Sequence, residues 1–168
     1  MTSRQRLSGD DGASIVEFAF VLPILALLVF GIIDFGSIFS DYHSLRSGVR
    51  DGTRDAVVLN WGTTTTCPSA TGTSPARNII CRVKAKTGLG ETVKVGVWAP
   101  GGWQIGATLR VCAQYPMKST SGITSPFVDG KAVTAKVEFR IEQELPSGVS
   151  FTAAQEGAVT SWPSSCTG

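Results

Sequence analysis

Sixteen consecutive uncharged residues, FAFVLPILALLVFGII from Phe18 to Ile33, constrain this chain more than any other feature. Ile15 and Val16 extend the run upstream. At 1.5 Å per residue, sixteen helical residues reach about 24 Å, a little short of a bilayer core of about 30 Å. Taken from Ala13 to Phe39 the reach becomes about 40 Å, with Glu17 and Asp34 included. A carboxylate inside an apolar membrane segment is costly, and it is a functional candidate on that ground alone. The run is too long for the apolar core of a secretory signal, and Gly31-Ile32-Ile33-Asp34 is no small-x-small cleavage site. A membrane-spanning helix with the rest of the chain carried on it is the expectation.

The remainder of the chain has the character of a domain outside the cytoplasm. The chain's 168 residues suffice for one domain of ordinary size. Fifteen Lys and Arg against thirteen Asp and Glu leave +2, too balanced to argue for nucleic acid or an acidic partner. All four cysteines lie after residue 60, and an even count on one side of an anchor points to an oxidising compartment. No C-x-x-C pair occurs, which weakens zinc and thioredoxin-like readings, and no metal or cofactor is expected. The charges do not orient the span, since Arg4 and Arg6 precede it while Arg46, Arg50 and Arg54 come after it. The cysteines do: N-terminus inside, C-terminal part outside.

The helix should outlast the membrane. Phe35, Ile38, Phe39, Tyr42, Leu45, Val49, Gly52, Ala56 and Leu59 recur at steps of three and four, and no proline interrupts from Ile24 to Asn60. One helix from Ala13 to Asn60 would run about 72 Å, kinked or loosened at Pro23, which lacks a backbone donor. Ser44, Gly48, Gly52 and Ala56 form a stripe of small residues at i+4 spacing. A helical glycine costs about 1 kcal/mol against alanine, so the stripe predicts an offsetting close contact, with the protein's own sheet or a neighbouring subunit. Arg46, Arg50 and Arg54 make a neighbouring ridge with Asp51 and Asp55 beside it, readable as a solvated face.

After a polar loop from Gly62 to Pro75, Ala76 to Thr87 reads as a short helix with Ile79, Ile80 and Val83 inward, stopped by Gly88-Leu89-Gly90. The period then changes to two. Val93, Val95 and Val97, then Leu109, Val111, Ala113 and Tyr115, then Val133, Ala135, Val137, Phe139 and Ile141 alternate with polar residues. Three half-buried antiparallel strands are predicted, with Pro100-Gly101-Gly102 in the first connection and a longer polar one from Met117 to Gly130. The tail from Pro146 has no clear period. A three-stranded sheet needs a partner for its apolar face, and the second half of the long helix supplies one. The fold class is therefore α+β: a long N-terminal transmembrane helix with a small antiparallel sheet packed on its C-terminal half.

Catalytic readings find little purchase. The single histidine, His43, lies on the predicted helix without a second ligand or base nearby in sequence. No Gly-x-Ser-x-Gly, phosphate-cradling loop or His-Glu-x-x-His occurs. Glu138 and Glu142 fall on the polar face of a strand beside Arg140 and Lys136, a pattern of surface charge pairing. No enzyme is expected.

Gly12-Ala13-Ser14-Ile15-Val16-Glu17-Phe18 resembles the processing site of type IV prepilins, where cleavage follows the glycine and glutamate becomes mature residue five. With Glu17-Phe18-Ala19-Phe20-Val21-Leu22-Pro23, the Gly31-Ile32-Ile33-Asp34-Phe35-Gly36 segment and Arg50-Asp51-Gly52-Thr53-Arg54, the stretch from Asp11 to Ala56 resembles the TadE-like family. Members are minor pilins or pseudopilins of tight-adherence (Flp-type) pilus systems. The resemblance implies a pilin-like fold, with residues 1–12 a leader, 13–39 the transmembrane and assembly half of the helix, and 40–168 an extracytoplasmic domain. It implies Gly12 and Ala13 as the cleavage site, Glu17, Phe18 and Pro23 in assembly, and a membrane, a prepilin peptidase and other pilins as partners. Asp10 and Asp11 depart from the pattern, since leaders of the family are commonly basic beside the cleaved glycine. The alternative is an unprocessed single-pass anchor carrying a binding or sensing domain.

Four cysteines allow three connectivities, of which Cys67–Cys81 with Cys112–Cys166 is expected. Cys67 and Cys81 flank a loop of thirteen residues, and closing one of that size is worth about 3 kcal/mol in the chain-entropy model. Cys112 alternates with Leu109 and Val111 onto the outer face of its strand, so the tail must come to it, with Trp162 covering that face.

Overall fold

The computed structural model describes residues 10–60, 75–156 and 162–167. Its axis is α1, Asp10–Val57, 48 residues and about 72 Å long, which continues through Pro23. The helix ends three residues short of the expected Asn60. Leu59 takes a left-handed backbone at φ 55°. Its amide donates to the Ala56 carbonyl at 3.0 Å, and the Asn60 amide donates to that of Asp55 at 2.8 Å. This pair of bonds is the Schellman closure, with a leucine where glycine is usual.

Behind α1 lies α2, Pro75–Thr87, with proline at its start and Gly88 at φ 67° just past its end. A 3₁₀ turn, Gly90–Thr92, leads into β1, Lys94–Trp98. Then come β2, Thr108–Pro116, a single helical turn α3, Ser125–Val128, and β3, Ala132–Arg140. The tail adds β4, Ala154–Gln155, and a last turn α4, Ser164–Thr167. The sheet order is β3-β2-β1-β4, antiparallel throughout, so it has four strands where periodicity predicts three. The fourth is two residues long, too short to display alternation. Glu156 extends its grip on β1: its amide donates to the Val95 carbonyl and its carboxylate accepts from the Val95 amide.

Inward rows across the strands, Val95–Ala113–Ala135 and Val97–Val111–Val137, follow the pleat. They meet Leu45, Val49, Ala56 and Val57 of α1 and Ala76, Ile79, Ile80 and Val83 of α2 in one core. The apolar stripe of α1 is buried only from Leu45 onward, because Phe35 and Phe39 stay more than 60 % exposed beyond the end of the sheet. Within the core, Thr53 folds its hydroxyl back onto the Val49 carbonyl at 2.6 Å, so its buried oxygen has a partner.

The small residues of α1 face α2, in place of the sheet or neighbouring subunit the stripe leads one to expect. A β-carbon on Gly48 would lie 2.5 Å from the Thr87 backbone, and one on Gly52 would lie 2.7 Å from Val83 Cγ2 and 2.9 Å from Val83 Cα. Ala56 is buried at the same face and Ser44 half-buried. A sheet presents pleated side chains, whereas α2 brings backbone to backbone, and only glycine leaves room for that.

The outer face of the sheet is covered by the tail. Cys112 and Cys166 are joined, with Cα atoms 6.1 Å apart, and cluster with Trp162 and Trp98. Trp98 lies flat over Gly96, whose absent side chain makes the space, and meets Trp162 edge-on at 5.5 Å. Arg110 binds Glu138 at 2.8 Å and the Cys166 carbonyl at 3.3 Å, tying the same end of the tail to β2. Cys81 is also disulfide-bonded. Cys67, and with it the expected Cys67–Cys81 pairing, lies outside the described residues.

Replacing Gly48 or Gly52 by alanine should lower stability by up to about 2 kcal/mol, since overpacking costs about 1–3 kcal/mol against a helix-propensity gain of about 1 kcal/mol. Gly36→Ala, with nothing within 4 Å of the added carbon, should be neutral or stabilising. Denaturant midpoints of the full chain in detergent check the contrast.

Candidate functional site

Along α1 the first candidate residues stand in the open. Between Gly12 and Ile33 no side chain is buried. Phe18 is 59 % exposed, Glu17 and Pro23 are exposed, and nothing lies within 4 Å of a β-carbon placed on Gly12. This is the one helix among the described residues long and apolar enough to cross a membrane. In water such a surface would be a large exposed apolar patch, which soluble monomers avoid. Its exposure has a physical reason if lipid or other apolar helices are its solvent.

The run ends at Asp34, a candidate by its charge alone, and there the structure supplies partners that residue order did not reveal. Asp34 is buried in the connection between β2 and β3. Its Oδ1 accepts from the backbone amides of Thr120 at 3.0 Å and Ser121 at 2.8 Å. Its Oδ2 accepts from the hydroxyls of Ser119 at 2.8 Å, Ser121 at 2.7 Å and Thr124. The loop closes on itself as well, the Gly122 amide donating to Ser119 Oγ at 2.9 Å and Thr124 Oγ1 lying 3.0 Å from Ser119 Oγ. A buried carboxylate is tolerable when its lone pairs are filled by charge-assisted donors, and five fill these. The available signal was a charge at the end of an apolar run together with a loop dense in hydroxyls, Lys118-Ser119-Thr120-Ser121-Gly122-Ile123-Thr124.

Further along, α1 turns a charged side outward. His43, Arg46, Ser47, Arg50, Asp51 and Arg54 line a shallow depression. Arg46, Arg50 and Arg54 are exposed and form no ion pair among the described residues. His43 touches Phe39 edge-on at 4.4 Å. Among the described residues no three His, Cys, Asp or Glu side chains group to hold a metal.

On the sheet's outer face, Glu138 is held below its ordinary carboxylate range by hydrogen bonds from Lys136 first and Arg110 next. Glu142, which sequence reading grouped with it, lies past the end of β3 and donates its amide to the Val57 carbonyl. Tyr115 is pushed up by burial first and by Asp41 next. Among the described residues the most deeply buried partner in an ion pair is Lys84, which lies between Glu156 at 2.8 Å and Glu91 at 3.1 Å and ties α2 to the tail.

Residues 12–54 match the family model described as TadE-like protein. The matched segment is α1 and nothing else, and it takes in the Glu17 region, Asp34, both packing glycines and the arginine ridge. No curated protein and no solved structure matches the chain.

Asp34→Ala removes the acceptor that five donors share. Amide exchange at Thr120 and Ser121 should then accelerate at least about tenfold, corresponding to about 1.4 kcal/mol of lost protection. Asp34→Asn keeps one carbonyl acceptor for the two amides and should lie between. Hydrogen-exchange mass spectrometry over residues 117–130 reads both.

Proposed function

We propose that this protein is a minor pilin or pseudopilin that takes part in assembly or initiation of a tight-adherence type IV pilus. The observation that carries the reading is the family match over residues 12–54, falling on a helix whose first half exposes apolar side chains all round. The Cys112–Cys166 disulfide supports a domain beyond the cytoplasmic membrane, where such bonds persist. In this reading residues 1–12 are a leader removed by a prepilin peptidase, 13–39 cross the inner membrane and later pack among other pilin helices, and 40–168 form the extracytoplasmic domain. The work done is mechanical, and no residue is assigned to catalysis.

The chemistry of the site follows from cleavage. A cut between Gly12 and Ala13 leaves an ammonium on Ala13, and Glu17 stands one helical turn along. In low dielectric that carboxylate attracts the ammonium of its own chain or of a neighbour far more strongly than it would in water, though desolvation offsets much of the gain. A pair of that kind fixes the register of one apolar helix against the next, which dispersion contacts alone leave loosely defined.

Processing is tested by N-terminal sequencing of the membrane-extracted protein, made with and without a prepilin peptidase. The mature chain should begin at Ala13, and Gly12→Leu should block trimming because the peptidase would admit only a small residue there. A chain that keeps Met1 to Gly12 in the presence of peptidase overturns the reading and leaves the unprocessed anchor. Glu17→Ala should leave membrane insertion intact and abolish co-purification with partner pilins; unchanged co-purification removes Glu17 from assembly.

A further inference from the structure

The end of the domain that carries the Asp34 clasp also carries two outward-facing apolar side chains. Ile123 is 45 % exposed and Phe127 72 % exposed, both in the connection between β2 and β3. Ile123 sits between Ser121 and Thr124, which both bind Asp34, so it is held at the level of residue 34 on the helix. Phe127 comes one turn later, its amide donating to the Thr124 carbonyl at 2.9 Å. Val128, the next residue, is buried, so α3 turns one apolar side chain in and one out.

The level of residue 34 is where the apolar run stops. Ile33 and Phe35 on the helix are 49 % and 64 % exposed, so the exposed apolar surface of the span is continued by Ile123 and Phe127 of the loop. The opposite end of the domain lies far away. The Glu142 amide, just past β3, donates to the Val57 carbonyl, and Val57 is about 34 Å along the helix from Asp34. Lys118 and Lys131 flank the connection, exposed and without an ion pair among the described residues. An apolar tip with flanking lysines is the composition of an element that lies in a membrane interface, with lysine stems reaching to the headgroups.

We propose that the β2–β3 connection is a second membrane contact, in which Ile123 and Phe127 enter the interfacial zone of the bilayer that α1 spans. Asp34 sets the depth, because the loop hangs from it by five hydrogen bonds. The partner is a lipid surface, argued from continuity with the span. The consequence is orientation: a helix anchored alone turns about its axis in the bilayer and carries its domain with it, whereas one whose domain also touches the surface presents a fixed side to incoming subunits. The inference rests on the reading of α1 as a membrane span, and the test separates the two.

Among the described residues no cysteine is free, so one added by substitution can be labelled selectively. The full chain would carry an environment-sensitive fluorophore at Ile33→Cys, Pro126→Cys or Glu144→Cys, one copy per nanodisc of phosphatidylethanolamine and phosphatidylglycerol. Spin-labelled lipid should quench positions 33 and 126 severalfold more than position 144. Replacing Ile123 and Phe127 by serine, or Asp34 by alanine, should bring position 126 down to the level of 144 and leave 33 unchanged. Quenching at 33 with none at 126 overturns the inference and leaves the span standing. No quenching at 33 overturns both. Protection of 126 only in discs that hold two copies makes the loop a protein interface and overturns the lipid contact.

Discussion

The structure depends on one helix with two kinds of surface. From Gly12 to Ile33, α1 buries nothing in its own protein, and from Leu45 to Val57 it forms a wall of the core. No break in the backbone separates the two regimes, so side-chain chemistry alone makes the division. Apolar residues all round suit the first half, and a sided pattern suits the second. The second half is what lets the small domain exist, since a short sheet with one apolar face needs a covering layer. Two helices supply that layer, and Gly48 and Gly52 set how closely they approach. Thr87 and Val83 occupy the space that β-carbons would take. Dispersion from the close contact then offsets the conformational cost of two glycines in a helix.

Asp34 stands where the regimes meet, and its position explains both its burial and its donors. Among the apolar side chains before this point a carboxylate would lack hydrogen-bond donors, and in open water it would need none from the protein. At the boundary the loop between β2 and β3 supplies two amides and three hydroxyls. The domain is thereby fixed to the helix at two separated places, by the core at its far end and by the clasp at its near end. A single attachment through Leu45 to Val57 would leave residues 34 to 44 of the helix unbraced.

Much of this was legible from residue order. The long helix, α2, and strands β1, β2 and β3 follow from the change in hydrophobic period at Val93, and the inward rows fall on the residues that alternation selects. The Cys112–Cys166 bond was legible as well, because a cysteine on the polar side of a strand needs something to come to it. Two features were not. β4 is two residues long, and its pairing is enforced by Glu156 reaching β1, a contact between residues 61 apart in sequence. The Asp34 clasp joins residues 85 to 90 apart, and neither partner carries a periodic signature. Periodicity reads which face an element turns inward; it is blind to which loop a lone charge will hold. The family match ends at Arg54, inside α1, so it too is silent on the sheet and the loop.

The three sides of the C-terminal half of α1 show why its charges sit where they do. Leu45 and Val49 are buried in the core, and Gly48 and Gly52 face α2. Arg46, Arg50 and Arg54 recur at i+4 spacing on the side left open, with Asp51 and Ser47 among them. Long guanidinium side chains there cost little, since water screens them and their stems cover the helix backbone. On either packed side the same residues would need a desolvated partner. Asp55 shows that limit: half-buried near the packed side, it is matched to Arg82 of α2 at 3.0 Å and approached by Lys86 at 3.8 Å. Charge on this helix is thus tolerated in proportion to the water or the donors at hand, the rule that Asp34 obeys at the end of the apolar run and the arginine ridge obeys in the open.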